Sequence, residues 1–184
     1  MPVKKSTPNR TIYLNEVTIQ STNEVIKFIY EINIEDKNNK AATREPIKLI
    51  INSDGGDVYS GFGLVEVIQA SETPVYTICH GQIQSMALLI FTVGYKRFIG
   101  KYSTAMYHEI NWDIEYAPGT HHKQELDEAA RCQLIYDKLM VEHSSVTKKQ
   151  LDKIKESQKY WYMTPEEVVK YKIADQILED SLAI

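Results

Sequence analysis

The sequence predicts an α/β domain built on a parallel sheet. The continuous apolar run IKLIIN, at residues 47–52, is typical of a strand that is covered on both faces. A helical segment follows at 58–70, and PVYTICHG at 74–81 has the pattern of a second strand. Two strands separated by one helix form a βαβ unit, in which the strands lie parallel and the crossover is right-handed.

Four segments precede this unit along the chain. Residues 1–9, MPVKKSTPN, are polar, and we expect a flexible N-terminal segment there, followed by a short strand at 10–14. Apolar residues then recur at helical spacing, which predicts an amphipathic helix at 23–34. The polar stretch 35–46 is predicted to be a loop.

After the second strand, helices and short strands continue to alternate. The predicted elements are a helix at 85–94, strands at 96–100 and 104–110, a polar loop at 111–122 and a long helix at 123–142. The apolar positions of the long helix include Leu126, Ala130, Leu134 and Leu139. No internal repeat or low-complexity tract is present, so we predict one domain over residues 10–184.

Two capping signals mark the helices near the C-terminus. Thr147 precedes a helical segment, and Thr164 is followed by Pro165 in the first turn and by Glu167 three residues after the cap. Residues 173–178 are predicted to form the last strand.

Composition and charge limit the classes of function that the chain can have. A formal net charge of −4 with scattered basic residues argues against nucleic-acid binding, which needs a concentrated basic face. Cys79 and Cys132 lack metal or redox spacing, so we expect reduced buried thiols. With neither a leader pattern nor a long apolar run, we expect a cytoplasmic protein without a membrane anchor.

Two turns follow the two strands of the βαβ unit. Gly55 and Gly56 lie in the first turn, NSDGG, and Ser85 follows the second strand at the start of an apolar helix. Ligands of open α/β sheets gather at the carboxyl ends of the strands. We therefore expect Ser85 to act as a nucleophile, with the amides of Gly56 and Met86 as an oxyanion hole. Glycine at 56 would keep the path of a substrate carbonyl open.

A serine nucleophile needs a base, and the chain has five histidines. His108 ends a predicted strand that should return to the same edge of the sheet, so it is the predicted base. His80, beside a strand end, is the alternative. A metal site built from Cys79, His80, His121 or His122 lacks ligand spacing, and we predict neither a metal nor a cofactor.

Each signal also has a simpler structural interpretation. NSDGG alone is usually only a turn, and a serine before an apolar helix is usually only an N-cap. A single histidine on a strand is more often structural than catalytic. The order of the three features, each after its own strand, favours the catalytic interpretation.

These residues carry a resemblance to a known family. The stretch LIINSDGG, then TICHGQIQSM, then the strand ending MYH resembles I-N-S-P-G-G, T-I-C-x-G-x-A-x-S-M-G and M-x-H of the Clp protease proteolytic subunit, ClpP. YMTPEEVVKYKIAD near the C-terminus is similar to the family's F-x-S-x-x-E-A-x-x-Y-G-L-V-D. The resemblance extends over residues 10–177.

The resemblance implies a serine-type endopeptidase with a crotonase-like β-α spiral and a protruding handle helix, here within about residues 110–143. It implies Ser85 as nucleophile, His108 as general base, and Gly56 and Met86 as oxyanion donors. It further implies a homo-oligomer, as a heptameric ring or double ring, that acts on peptides or unfolded proteins. In the family such rings work with an AAA+ unfoldase partner.

The sequence departs from the family at several positions. Asp54, Ala87 and Lys172 stand where the family has proline, glycine and glycine. The family's third catalytic member is an aspartate, and counting places Tyr160, or Lys159 with a slip of one residue, at that position. The triad acid is therefore not retained there.

Three interpretations of the missing acid remain open. The enzyme uses a slower Ser–His dyad that is helped by the Tyr160 oxygen, or an acid from Glu109, Asp113 or Glu156 substitutes. Glu109 is the least attractive, because neighbouring residues on a strand point to opposite faces. Alternatively, the chain is a weakly active or non-catalytic structural or regulatory ring subunit.

Two further expectations concern partners and reaction. Only nine residues precede the first strand, fewer than the family's axial-loop segment, which argues against a standard unfoldase partnership and for a divergent or phage-type peptidase. Acyl-CoA chemistry is a third possibility, because crotonases share the fold. The serine and histidine motifs favour the peptidase.

Overall fold

A computed structural model describes residues 9–39, 43–112 and 119–179. The strands are β1 Thr11–Leu14, β2 Ile47–Ser53, β3 Val75–Gln84, β4 Lys96–Gly100, β5 Thr104–Tyr107, β6 Trp161–Met163 and β7 Gln176–Leu178. The helices are α1 Ile19–Asn39, α2 Val58–Ala70, α3 Met86–Thr92, α4 Gly119–Glu142, α5 Lys148–Glu156 and α6 Pro165–Lys170. Apart from Asn9, the predicted flexible segment at 1–9 lies outside the described residues.

The sheet is mostly parallel. Its main path runs β1-β2-β3-β4-β7, and all four of these pairings are parallel. β3 also pairs in parallel with β5, which pairs with β6 in the antiparallel sense. β2 and β3 are joined through α2, so the predicted βαβ unit is confirmed.

β3 is the strand that directs the chain toward the candidate site. Its first half pairs with β4, and its last three residues pair with β5. The register with β2 shifts between Ile51 and Ser53, where β3 carries additional residues. The amides freed there are satisfied by side chains: Gly81 donates to Ser103 Oγ at 3.1 Å and Gln82 to Asn52 Oδ1 at 3.1 Å.

The core lies between the sheet and the helices that cover it. All seven residues of α3 are buried. β2 alternates instead, with Lys48 and Ile50 half-buried and Asn52 exposed. The prediction that both faces of β2 are covered is therefore wrong, because the second face carries these partly polar positions.

Several element boundaries differ from the prediction. α1 begins at Ile19, because Thr18 and Ser21 exchange side-chain to backbone hydrogen bonds at 3.0 and 3.2 Å and cap the helix earlier. β3 continues to Gln84, and β5 ends at Tyr107, so His108 follows the strand rather than ending it. β6 was not predicted as a strand.

Both predicted helix caps near the C-terminus are confirmed. Thr147 forms a capping box with Gln150, and Thr164 forms one with Glu167, with Pro165 in the first turn. In α4, by contrast, two of the apolar positions lie at the protein surface, since Leu126 and Leu134 are 58% and 62% exposed. Among the described residues, every helix is too short or too polar to cross a lipid bilayer.

Candidate active site

Ser85 lies between β3 and α3, at the N-cap position of the helix. Its backbone has φ 51° and ψ −127°, whereas a capping residue ordinarily has an extended backbone. The half-buried side chain makes no capping hydrogen bond, and its Oγ bonds to no other described residue. The interpretation of Ser85 as a simple helix cap is therefore wrong, and its hydroxyl is left without a structural partner.

The backbone of Ser85 is held on both sides despite its positive φ. Its N–H donates to the Met106 carbonyl of β5 at 2.9 Å. Its carbonyl accepts from the Tyr136 hydroxyl at 2.8 Å and from the Leu88 amide at 3.0 Å. A positive φ in a residue with a side chain costs about 1–2 kcal/mol, and these fixed contacts maintain it.

The Gly55–Gly56 turn packs against Ser85. The two glycines have φ of 110° and 139°, in the region that favours glycine. A Cβ on Gly55 would lie 2.7 Å from Ser85 Cβ, whereas a Cβ on Gly56 would lie 2.2 Å from the Val17 carbonyl oxygen. The expected reason for glycine at 56 is thus wrong, because Val17 fills the space that a side chain would enter.

The Gly56 amide is directed away from Val17 by a bridge between the two residues. In this parallel bridge Val17 N–H donates to the Gly55 carbonyl at 2.9 Å, and Asp57 N–H donates to the Val17 carbonyl at 2.8 Å. The N–H of Gly56 therefore faces away from Val17. The Met86 nitrogen lies 3.1 Å from the position that a Cβ on Gly55 would take.

His108 leaves the sheet next to Ser85. The register of β3 and β5 aligns Gln84 with Met106, so Ser85 and His108 emerge from adjacent strands one residue apart. His108 is half-buried. Both residues are described, and no hydrogen bond joins Ser85 Oγ to the imidazole.

The imidazole is oriented by a backbone group. His108 Nδ1 forms a hydrogen bond with the Glu109 carbonyl oxygen. Because a carbonyl oxygen only accepts, Nδ1 carries the proton in this contact. In the neutral ring Nε2 is then left as the acceptor, which is the tautomer that a general base requires.

Tyr160 lies beside His108. The two rings meet edge to face, with centroids 5.6 Å apart, and Tyr160 packs in the same way on Tyr162 at 6.3 Å. No hydrogen bond joins the Tyr160 hydroxyl to the imidazole of His108, both of which are described. A cavity of about 180 Å³ adjoins the pair, and its lining includes Lys159.

In the described part of the chain, no carboxylate of the acids considered as substitutes forms a hydrogen bond or ion pair with the imidazole. Glu109 contributes its carbonyl while its side chain is exposed. Glu156 ends α5 and is exposed. Asp113 lies outside the described residues.

The remaining candidate residues lie elsewhere. His80 precedes Ser85 by five residues of β3, roughly 16 Å along an extended strand. His121 and His122 are exposed near the start of α4. Cys79 is fully buried in β3, and burial raises the pKa of its thiol to about 12, so it stays a neutral core side chain.

Sequence reasoning missed a set of interior polar side chains that hydrogen-bond around Ser85 and His108. They are Tyr107, Gln133, Tyr136 and Asp137, which are buried, and Lys155, which is half-buried. Gln133 and Asp137 are 8% and 4% exposed, although polar residues on a helix usually face solvent. Their spacing of four residues places both on one face of α4, but only the tertiary contacts identify that face as the buried one.

Comparisons with known proteins identify similar sequences. The Clp protease family model matches residues 3–181. The ATP-dependent Clp protease proteolytic subunit 1 of Prochlorococcus marinus is 30% identical over 175 residues, 92% of this chain and 84% of the relative. A proteolytic subunit 1 from a Synechococcus species is 31% identical, and the match covers 92% of this chain and 83% of the relative. The proteolytic subunit of Porphyromonas gingivalis is 32% identical, and the match covers 72% of this chain and 60% of the relative. This chain belongs to the Clp protease family.

Proposed function

We propose that the chain is a serine endopeptidase in which Ser85 is the nucleophile and His108 the general base. The observation that carries this proposal is the backbone of Ser85, which is held at positive φ against the Gly55–Gly56 turn while its Oγ has no structural partner. A strained serine at a strand-to-helix turn is the arrangement that exposes a nucleophile.

The residues support the two steps of acyl transfer. Ser85 Oγ attacks the peptide carbonyl as His108 Nε2 takes its proton, and the oxyanion is stabilised by the Gly56 and Met86 amides. The proton then passes to the leaving amine, and the C–N bond breaks to give the acyl-enzyme. A water molecule, deprotonated by His108, then attacks the ester carbonyl. The acyl C–O bond breaks as His108 returns the proton to Ser85 Oγ, which releases the acid and restores the free enzyme.

In the proposed Ser85–His108 dyad, the Glu109 carbonyl takes the place of the family's aspartate as the partner of the imidazole. That oxygen fixes the tautomer of His108, but it supplies no full negative charge for the imidazolium. In chymotrypsin-type proteases, neutralising the acid lowers kcat by about 10⁴. We therefore expect acylation to be measurable and turnover to be slow.

We further propose the crotonase-like spiral with α4 as the handle, and assembly into rings. The branching of the sheet at β3, which pairs with both β4 and β5, supports the spiral. Leu126, Ala130, Leu134 and Val141 fall within one exposed sector of α4 and support assembly with other copies. The relatives are named proteolytic subunits of ATP-dependent proteases, and we propose peptides or unfolded proteins as substrates here.

The test is labelling with a serine-reactive fluorophosphonate, followed by peptide mass mapping. We expect the label on Ser85 alone, its loss in Ser85→Ala, and retention in Ser145→Ala, which removes an exposed serine remote from the turn. Absence of label from folded, assembled protein at every pH from about 6 to 9 would contradict the proposal, because an activated serine reacts within that range.

A non-catalytic ring subunit is the second candidate. Tyr160 beside His108 in place of an acid, with no Ser85–His108 hydrogen bond, favours it. It predicts that Ser85→Ala keeps both assembly and biological role. Loss of that role in an assembled Ser85→Ala protein contradicts this candidate and supports the peptidase.

A further inference from the structure

We propose that Tyr107 and Gln133, anchored by an ion pair between the buried Asp137 and the half-buried Lys155, are positioning residues for His108. This inference rests on the proposed function, because it concerns the geometry of the general base. None of the four residues touches a reacting atom. Their effect passes through the backbone around His108.

Tyr107 is the residue directly before His108 and is 0% exposed. Its hydroxyl donates to Asp137 Oδ1 at 2.7 Å, and its ring packs on Tyr136 with centroids 5.6 Å apart. Burial raises the pKa of Tyr107 far above neutral pH, so the hydroxyl remains a donor. The end of β5 is thereby fastened to α4.

Asp137 is a buried carboxylate with partners on both oxygens. Oδ1 accepts from Tyr107 and from Gln133 Nε2, each at 2.7 Å. Oδ2 forms a salt bridge with Lys155 of α5, whose ammonium also contacts Asp152 at 3.1 Å. A buried charge is tolerated only when it is paired in this way. The Asp137 oxygen that accepts from Tyr107 is therefore held in one position.

Gln133 fastens the chain on the other side of His108. Its Oε1 accepts from the Ile110 amide at 2.7 Å, and its Nε2 donates to the Tyr107 hydroxyl at 3.1 Å. The network thus holds Tyr107 and Ile110. Between them lie only His108 and Glu109.

The span between these anchors contains the group that orients the imidazole. The Glu109 carbonyl accepts from His108 Nδ1 and selects its tautomer. A carbonyl can do this only if its own position is fixed, since it has no net charge to attract the ring. Anchoring at Tyr107 and Ile110 supplies that rigidity in a chain without an acid at Tyr160.

The first test is Tyr107→Phe, which removes one hydroxyl and keeps the ring. We expect kcat for a fluorogenic peptide to fall about 10-fold while KM stays within about twofold, because the loss concerns the base and not substrate binding. Tyr102→Phe, at a tyrosine that is 87% exposed, is the matched control and should retain both constants. Unchanged kcat in folded Tyr107→Phe overturns the proposal.

A double-mutant cycle separates positioning from general stability. If Tyr107 acts through His108, Tyr107→Phe has no further effect on the rate of Ser85 labelling once His108→Ala is present. An equal fold-loss of the labelling rate in both backgrounds shows a merely structural role and overturns the proposal. Circular dichroism and urea unfolding verify that the four proteins are folded.

Gln133→Met is the second variant, because it removes the acceptor of the Ile110 amide with little change in volume. Gln133→Met should lower kcat and leave KM unchanged. If Tyr107→Phe does not fold, the kcat of Gln133→Met tests the positioning role in its place. Failure of both variants to fold assigns the network to stability and overturns the positioning role. An inert wild type overturns the proposed function instead, whereas an active wild type with unaffected variants overturns this inference alone.

Discussion

At the scale of single residues, Ser85 shows how a backbone conformation frees a side chain. An N-cap serine normally accepts a hydrogen bond from the first turn of its helix. In Ser85 the positive φ turns the side chain away from this role, and the Tyr136 hydroxyl and Met106 carbonyl hold the backbone there. The hydroxyl is then available for chemistry.

Tyr160 is the second residue on which the proposed mechanism depends. Its ring, not its hydroxyl, contacts His108. We predict that Tyr160→Phe keeps kcat within about twofold, whereas Tyr160→Ala lowers it about 2- to 10-fold, since aromatic pairs contribute about 0.5–1.5 kcal/mol. Steady-state peptide hydrolysis measures both.

The kcat values of the two Tyr160 variants also test the hypothesis that the Tyr160 oxygen fixes the tautomer of His108. A large loss of kcat in Tyr160→Phe, comparable to the loss in Tyr160→Ala, supports that hypothesis and contradicts the ring-packing account. Tyr102→Phe again controls for removal of a tyrosine hydroxyl at an exposed position.

At the scale of elements, the C-terminus of α6 contains a residue that differs from the family pattern. Lys172, where the family has glycine, has φ 54°. Its N–H donates to the Val169 carbonyl at 2.9 Å, and the Ile173 N–H donates to the Val168 carbonyl at 2.9 Å. This is a Schellman motif, in which glycine is the preferred residue.

We predict that Lys172→Gly stabilises the protein. Relief of the positive φ is worth about 1–2 kcal/mol, and the added entropy of glycine in the unfolded chain costs about 0.5–1 kcal/mol. The free energy of unfolding should therefore rise by about 0.5–1 kcal/mol, measured from the urea midpoint at unchanged slope.

Lys153→Gly is the matched control for this substitution. Lys153 is an exposed lysine inside α5, where glycine should lower the free energy of unfolding by about 1 kcal/mol. If both variants are destabilised by similar amounts, the explanation based on the φ of Lys172 is wrong.

At the scale of the whole molecule, a buried ion pair joins distant parts of the chain. Arg10, directly before β1, forms two hydrogen bonds with the Asp36 carboxylate of α1. Thr73, before β3, donates its hydroxyl to the same carboxylate at 2.7 Å. Asp36 is 3% exposed, and chiefly the Arg10 hydrogen bonds lower the pKa of this carboxyl.

We predict that Asp36→Asn lowers the free energy of unfolding by about 3 kcal/mol at pH 7, because it leaves Arg10 without its buried counter-charge. A lowered pKa in the folded state stabilises above the unfolded value of about 3.9, and this contribution disappears as the pH falls through the folded value. The difference between the two proteins should therefore shrink below about pH 4. Urea unfolding across the acid range measures it.

Glu31→Gln provides the control for loss of one acidic charge. Glu31 pairs with Lys27 at 3.8 Å, and both side chains are exposed, so the change should stay within about 0.5 kcal/mol at any pH. A difference between wild type and Asp36→Asn that persists unchanged at low pH contradicts the assignment to Asp36 ionisation.

Local chemistry explains which elements could be predicted. Thr147 and Thr164 cap their helices as expected, because a capping box depends on residues three positions apart. β6 could not be predicted, because its three residues become a strand only by pairing with β5. Leu126 and Leu134 occupy apolar positions of the helical pattern and are exposed, because periodicity does not tell which face of the helix the protein covers.

The sequence by itself determined the βαβ unit, the helix caps and the order of the Gly-Gly turn, Ser85 and His108, because these depend on short-range patterns and on motif spacing. Only the tertiary structure decided which groups fasten the chain around His108. The Glu109 carbonyl is adjacent to His108 along the chain, whereas the network of Tyr107, Gln133 and Asp137 brings together groups from β5 and α4. Their contacts arise from packing between segments distant in sequence, which no local pattern encodes.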